Sequence, residues 1–552
     1  MADTVVVGAG RLTLEQLVAV ARDGAHVELA PEAIARMRPS RDWVEHAIAD
    51  RGADGTIKPI YSINTGFGSL AGRAAFQDPA QAEDLSRRLI VSNACGVGPF
   101  LPAEIVRAAM LIRISSLTCG FSGIRPVVVQ TLVDMLNAGV TPAVPEIGSL
   151  GASGDLVPLA HMMLVATRPA GDDDPEVDSG EAIVDGEIVS GIVAMHEAGI
   201  ARVVLGAKEG LALTNGTSFS TALAALAVYD AARLVTTAEI TAAMSIEALT
   251  GFGDAFLPQI HDARGQRGQI EAAAHIRALL AGSTLVDGNE QTDPVRQPPQ
   301  DAYSLRCIPQ VHGAVRDTLA FARGIVETEI NAATDNPLIF PDLPDSRHLK
   351  AVSGGNFHAE YLAFVADFVA IAVTEIGSIA ERRLFRLDDG TLNRGLPDML
   401  IDSTDVGMDC GYMLPQYVAA ALVSDCKALA HPDSVDSIPT CANQEDHVSM
   451  AANAGRHARS VIENITAVIG FELAMAAQAL ELRLAHPDYA GARLAPASRA
   501  LVDLVRATPT ETGGSITHLS RDVVMYPLLR AATGLVRSGA VLDTAAAHTD
   551  SA

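Results

Sequence analysis

The stretch Glu146-Ile147-Gly148-Ser149-Leu150-Gly151-Ala152-Ser153-Gly154-Asp155-Leu156 places glycines and serines directly before an apolar run that continues to Thr167. Four structures use such a segment. A plain turn would set Ser153 or Asp155 as the N-cap of the following helix. A phosphate loop needs a Lys-Ser/Thr ending, which is missing. A serine nucleophile elbow needs G-x-S-x-G, and Asp155 stands where the second glycine belongs. The fourth is backbone cyclisation. The Gly154 nitrogen attacks the Ala152 carbonyl carbon, and loss of two waters, one carrying the Ser153 hydroxyl, leaves a methylidene-imidazolone (MIO). Glycine supplies an unhindered nitrogen and tolerates a strained backbone. Serine brings the β-hydroxyl whose loss leaves a bare methylene, and alanine keeps the loop small.

Downstream of Asn215-Gly216 the chain changes character. Thr217 to Thr250 has almost no breakers and reads as one long helix. Residues 314–332, 357–388, 415–429 and 455–484 read as four more, several apolar on most faces, the mark of helices buried in a bundle or between subunits. Upstream, residues 78–138 are helical in pattern and 141–155 are rich in Gly and Pro. Residues 171–180, with Asp172-Asp173-Asp174-Pro175, read as an acidic surface loop, and 181–189 as a hairpin turning at Asp185-Gly186. Near the start, Val5-Val6-Val7-Gly8-Ala9-Gly10 invites a dinucleotide reading, but Thr13 replaces the third glycine. Thr13 with Gln16 instead forms a capping box for a helix over Leu14–Arg22. The expected fold is mainly α: an elongated bundle of long central helices with a loop-rich N-terminal part carrying the Ala152-Ser153-Gly154 loop. The expected division is 1–210 and 211–552.

The 552 residues are 49% hydrophobic, 4% aromatic and 19% charged, with a formal charge of 40 − 66 = −26. That balance excludes nucleic acid as a partner. The six cysteines (Cys95, Cys119, Cys307, Cys410, Cys426, Cys441) show no CxxC and read as free thiols in a reducing compartment. No basic region precedes an apolar run at the N-terminus. No charge-free stretch reaches the roughly 20 residues of a bilayer span; Asp367 and Glu375 interrupt the best candidate. A cytoplasmic protein without membrane contact is expected. His161, His358 and His447 have no paired ligand spacing, so they read as structural and no metal is expected.

The loop extends to Gly148-Ser149-Leu150-Gly151-Ala152-Ser153-Gly154-Asp155-Leu156-Val157-Pro158-Leu159-Ala160-His161. Further motifs follow in order: Tyr61-Ser62-Ile63-Asn64-Thr65-Gly66-Phe67-Gly68, Asn215-Gly216-Thr217-Ser218, Gln300-Asp301-Ala302-Tyr303-Ser304-Leu305-Arg306-Cys307, Gly355-Asn356-Phe357-His358 and Asn443-Gln444-Glu445-Asp446-His447. Together they resemble the MIO-dependent aromatic amino acid ammonia-lyase family, and the flanking text is most similar to its histidine-acting branch. The resemblance implies the ammonia-lyase/L-aspartase-like fold, a homotetramer with shared active sites, and MIO formed from Ala152, Ser153 and Gly154 without metal or nucleotide. It implies Tyr61 as the base for the β-proton. That role demands a stabilised phenolate, since a phenol near pKa 10 is protonated at neutral pH. It implies Arg306 as a fork for the substrate carboxylate, with Tyr303 and Gln300 on the same wall. Asn215 would hydrogen-bond the ring oxygen or the bound amine, Phe357 would pack near the prosthetic group, and Gln444 would sit on a loop reaching a site.

The ring-selecting pair is Ser92-Asn93, where histidine enzymes of this family carry Ser-His, phenylalanine enzymes Phe-Leu and tyrosine enzymes His-Leu. Asp425 stands where the histidine branch has a Glu. Both leave the ring end polar, and a bare phenyl would strand those groups at about 1–3 kcal/mol each. The expected reaction is elimination of ammonia from L-histidine, giving urocanate, or from a histidine-like substrate. Tyrosine or phenylalanine ammonia-lyase and aromatic 2,3-aminomutase are the alternatives of the same class. From a different class, a catalytically inactive assembly protein would keep an uncyclised loop.

Overall fold

The computed structural model describes residues 4–72, 76–171, 179–286, 300–344, 349–405 and 407–549. Its first helix, Leu14–Arg22, starts where local chemistry starts it. Thr13 Oγ1 accepts from the Gln16 N–H, and the Gln16 side chain accepts from the Thr13 N–H. This reciprocal box satisfies helix-end donors that would otherwise be bare. The helix links the parallel strands Val5–Val7 and Val27–Leu29, and that sheet stops at two strands.

The long helices follow the breaker-free stretches: Ser218–Ala248, Ile308–Glu329, Glu360–Asp388, Met413–Leu429 and Ala451–Ala485. Helices dominate the described residues, as the pattern implies. The second begins before the expected Ala314 because Pro309 falls in its first turn, where a missing N–H costs nothing. The helical stretch after Asp78 is three helices, Pro79–Asn93, Ala103–Thr118 and Pro126–Asn137. A short strand, Val97–Phe100, interrupts them and pairs antiparallel with Pro145–Ile147, which leads into the Ala152 loop. The hairpin forms from Glu181–Val184 and Glu187–Ser190, with Asp185 at φ 49° and Gly186 at φ 86° supplying a two-residue turn. The acidic run Asp172 to Pro175 lies outside the described residues.

Three helices, Ser218–Ala248, Glu360–Asp388 and Ala451–Ala485, are long and apolar enough to cross a membrane by length and composition. A search for charge-free stretches passes over them because each carries a few charges. Their most apolar windows are 72%, 72% and 89% buried inside the protein, so packing accounts for their apolarity.

The chain forms two compact units, interleaved in sequence: Met1–Leu226 with Arg323–Asp367 and Pro432–Arg456, and Ala227–Ala322 with Phe368–His431 and His457–Ala552. The first holds the small sheets and the Ala152 loop. Its core contains a fully buried ion pair, Lys208 Nζ to Asp335 Oδ2 at 2.8 Å. In the second, the buried Glu472 carboxylate is saturated. It accepts from Arg383 Nε at 2.5 Å, Arg383 Nη2 at 3.0 Å, Thr241 Oγ1 at 2.9 Å and Ser245 Oγ at 2.8 Å. A buried charge is tolerable only when paired this fully.

His312 in the second unit is fully buried, and burial pushes its pKa from 6.5 down to about 3, against the pull of Glu239. The folded ring is neutral, whereas the unfolded ring takes up a proton below about pH 6.5. Its stabilising contribution is therefore present above pH 6.5 and lost as pH falls towards 3. Thermal melts across that window are expected to show Tm falling with pH, with a shallower slope in His312→Gln.

Candidate active site

The Ala152 loop is held from three sides within the first unit. Gly151 and Gly154 sit at φ 74° and 73°, in the left-handed region. A Cβ on Gly154 would collide with the Gly216 carbonyl, and one on Gly151 with Ser449 Oγ, so both positions require glycine. Asn215 Nδ2 donates to the Ser153 carbonyl oxygen at 2.7 Å, and the Gly216 N–H donates to the same oxygen at 3.3 Å. The Asn215 carbonyl is in turn fixed by the buried Arg113 Nη1 at 2.5 Å. Opposite, the Met450 N–H donates to the Leu150 carbonyl at 2.9 Å, and Ala152 packs on Val448 and Met450.

Asp155 begins the helix Leu156–Ala166 but does not cap it with its side chain. Its carboxylate instead reaches the first turn of the helix Ser218–Ala248, accepting from the Ser220 N–H at 2.8 Å and Ser220 Oγ at 2.7 Å, and also from Ser149 Oγ at 2.7 Å. It is fully buried, and burial pushes its pKa up against these donors. This one carboxylate ties the loop to a distant helix N-terminus, where negative charge is favoured. Asp155→Ala strands the donors, each at about 1–3 kcal/mol. A loss of stability of about 3 kcal/mol or more is expected, read as a lower denaturation midpoint at an unchanged m-value.

A cavity of about 940 Å³ opens above the loop. Among the residues singled out in the sequence, Tyr61, Ser92, Asn93, Ser153, Asn215, Phe357 and Gln444 line it. Tyr61 Oη accepts from the Gly68 N–H at 3.3 Å. Burial pushes its phenol pKa up, the Gly68 hydrogen bond opposes this, and the nearby Cys441 and Glu445 add to the rise. Ser92 Oγ donates to the Leu89 carbonyl at 3.1 Å and lies 3.5 Å from Asn93 Oδ1. Ala152 is buried.

The remaining expected residues belong to the second unit. Gln300, Tyr303 and Arg306 line another cavity, of about 550 Å³. Arg306 Nε donates to the Asp301 carbonyl at 2.8 Å, and its guanidinium lies 4.6 Å from the Tyr303 ring centre. Tyr303 is 70% exposed. Asp425 is exposed on the helix Met413–Leu429 and lines neither cavity.

Sequence reading assigned no role to Glu445, yet its Oε1 accepts from Ser153 Oγ at 2.5 Å across a separation of 292 residues. It also assigned none to Cys441, which lines the same cavity, or to Arg113. Glu445 lies inside a quoted motif, but no local rule pairs it with Ser153. His358, Glu360 and His447 gather with potential ligand atoms within 4.8 Å of one another. The two ring nitrogens of His358 are turned to different partners. Nδ1 lies 3.8 Å from Glu360 Oε2, and Nε2 lies 3.4 Å from His447 Nδ1.

The family model for aromatic amino acid lyases matches residues 12–507. A histidine ammonia-lyase of Alkaliphilus metalliredigens is 44% identical over 532 residues, 96% of each chain. The crystal structure of histidine ammonia-lyase from Trypanosoma cruzi is 37% identical, with a TM-score of 0.83 over 99% of this chain and 95% of that one. Tyrosine aminomutase from Streptomyces globisporus is 35% identical, with a TM-score of 0.87 over 99% of both chains. Sequence and fold thus match over nearly the whole length, and the chain belongs to the aromatic amino acid lyase family, as a carbon–nitrogen lyase.

Proposed function

We propose that this chain is an MIO-dependent ammonia-lyase converting L-histidine, or a histidine with a substituted imidazole, to ammonia and the corresponding acrylate (urocanate for histidine itself). The observation that carries it is the convergence of Asn215 Nδ2 and the Gly216 N–H on the Ser153 carbonyl oxygen, the oxygen the cyclised tripeptide would keep. Two further features fit that group. Gly154 is pressed against Gly216 where no Cβ has room, and Asn215 Oδ1 is buried without a partner among the described residues. When formed, the group supplies an electrophilic methylene that makes the substrate's amine a better leaving group.

The chain's own residues do the rest. Asn215 and Gly216 stabilise negative charge gathering on the Ser153 oxygen. Tyr61 removes the β-proton, and the Gly68 N–H supports its phenolate. Phe357 and Gln444 line the cavity that holds Ser153, and Ser92 and Asn93 meet the polar ring. Arg306, flanked by Tyr303 and Gln300, grips the substrate carboxylate as a fork, and Asp425 contacts the ring. We read the protein as a homotetramer whose sites are shared between copies. The exposure of Tyr303, Tyr361 and Tyr417, at 70%, 68% and 60%, fits faces that other copies cover. Free cysteines fit a reducing cytoplasm.

Similarity to a tyrosine aminomutase favours one second reading, in which ammonia re-adds at the β-carbon. The deciding experiment has two parts. Intact mass reads the loss of two waters, which an inactive assembly protein would lack. A panel of L-histidine, N-methylated and thio-substituted histidines, tyrosine and phenylalanine is scored for ammonia and for acrylate absorbance. Ammonia and urocanate from L-histidine are expected; β-histidine without urocanate would move the chain to the aminomutases.

A further inference from the structure

Glu445 is held in place by a hydrogen-bonded, strained turn. Thr440 Oγ1 donates to its Oε2 at 2.7 Å, and the Thr440 N–H donates to its carbonyl at 2.9 Å. The turn between them runs through Cys441, Ala442 and Asn443 at φ 50°, 53° and 64°, three consecutive non-glycine residues in the left-handed region. Such strain persists where the surrounding structure enforces it, often at functional sites. The result aims Oε1 at the hydroxyl that cyclisation must expel, 2.5 Å from Ser153 Oγ.

We infer that Glu445 is the proton carrier for dehydration of Ser153, a catalytic residue of the chain's self-modification. The inference rests on reading Ala152-Ser153-Gly154 as a self-cyclising tripeptide. Atoms balance over two steps. The Gly154 nitrogen bonds to the Ala152 carbonyl carbon, and that carbonyl's oxygen leaves as the first water with the Gly154 and Ser153 amide protons. The Glu445 carboxylate then takes the Ser153 Cα proton. The electron pair of that C–H bond becomes the Cα–Cβ double bond and the Cβ–Oγ bond breaks. The carboxyl returns its proton to the departing hydroxide, so the second water leaves and the carboxylate is restored. Asn215 and Gly216 on the Ser153 carbonyl oxygen acidify that Cα proton by stabilising the developing enolate.

The test is a time course of intact mass on freshly made full-length protein. The unaltered chain is expected to lose two waters. Glu445→Gln keeps an acceptor for the Ser153 hydroxyl but cannot carry a proton, and its dehydration is expected to slow by about 10²–10⁴-fold. Glu445→Asp is expected to reach completion, more slowly than the unaltered chain, because it keeps a carboxylate one methylene short. Glu445→Gln dehydrating as fast as the unaltered chain would overturn the inference. Should it melt below Ser153→Ala, which cannot dehydrate at all, the Asp variant decides: Asp and Gln dehydrating alike also overturns it. If the unaltered chain itself retains both waters, the cyclisation reading fails as a whole, which is a different outcome from a failure of Glu445's part.

Discussion

Tyr61→Phe lowers kcat by about 10²–10⁴-fold, the range removed with a positioned general base, while the two-water mass loss stays complete. The hydroxyl sits in the cavity with Ser153 and Asn215, so deleting one oxygen removes the proposed base and leaves the loop's hydrogen bonds untouched. The pH profile provides the second signature. Burial holds the phenol above its ordinary value of 10, with only the Gly68 N–H opposing. The phenolate fraction therefore grows about tenfold per pH unit below that pKa. For the unaltered enzyme kcat/KM is expected to climb through the alkaline range, and Tyr61→Phe to lose that limb. Steady-state rates between pH 6 and about 10.5 check both. A Phe variant within tenfold of the unaltered rate would remove Tyr61 from the chemistry.

Asn215→Ala is expected to cost about 10²–10³-fold in kcat, with a smaller change in KM, because a preorganised donor acts where charge develops. The donor is well fixed: its own carbonyl is gripped by Arg113, and the adjacent Gly216 adds a second N–H to the same oxygen. Gly216 alone, at 3.3 Å, cannot replace the 2.7 Å contact. A KM increase at constant kcat would instead assign Asn215 to ground-state binding.

The two departures at the ring end, Asn93 and Asp425, answer to different parts of the protein. Asn93 lines the cavity above the loop. Asp425 stands exposed in the second unit, which also carries Arg306 and Tyr303. The segment Gln300 to Cys307 was legible as a motif, but its location was not, because nothing in it says which unit it packs into.

What the amino acids determined on their own is local. The Thr13 box, the Asp185-Gly186 turn, the long breaker-free helices and the glycines around Ser153 each depend on atoms a few residues apart. Their geometry follows from covalent limits and neighbouring hydrogen bonds. What tertiary structure alone decided is which distant groups meet. Asp155, readable as a cap for its own helix, caps the helix at Ser218 instead, because burial leaves Ser220's donors with no water to satisfy them. Glu445 meets Ser153 because the 449–450 segment is bonded to the loop at Leu150 and Gly151, and the strained turn before it fixes the approach. Pairings of that range are selected by the packing of the whole chain, and no periodicity or spacing records them.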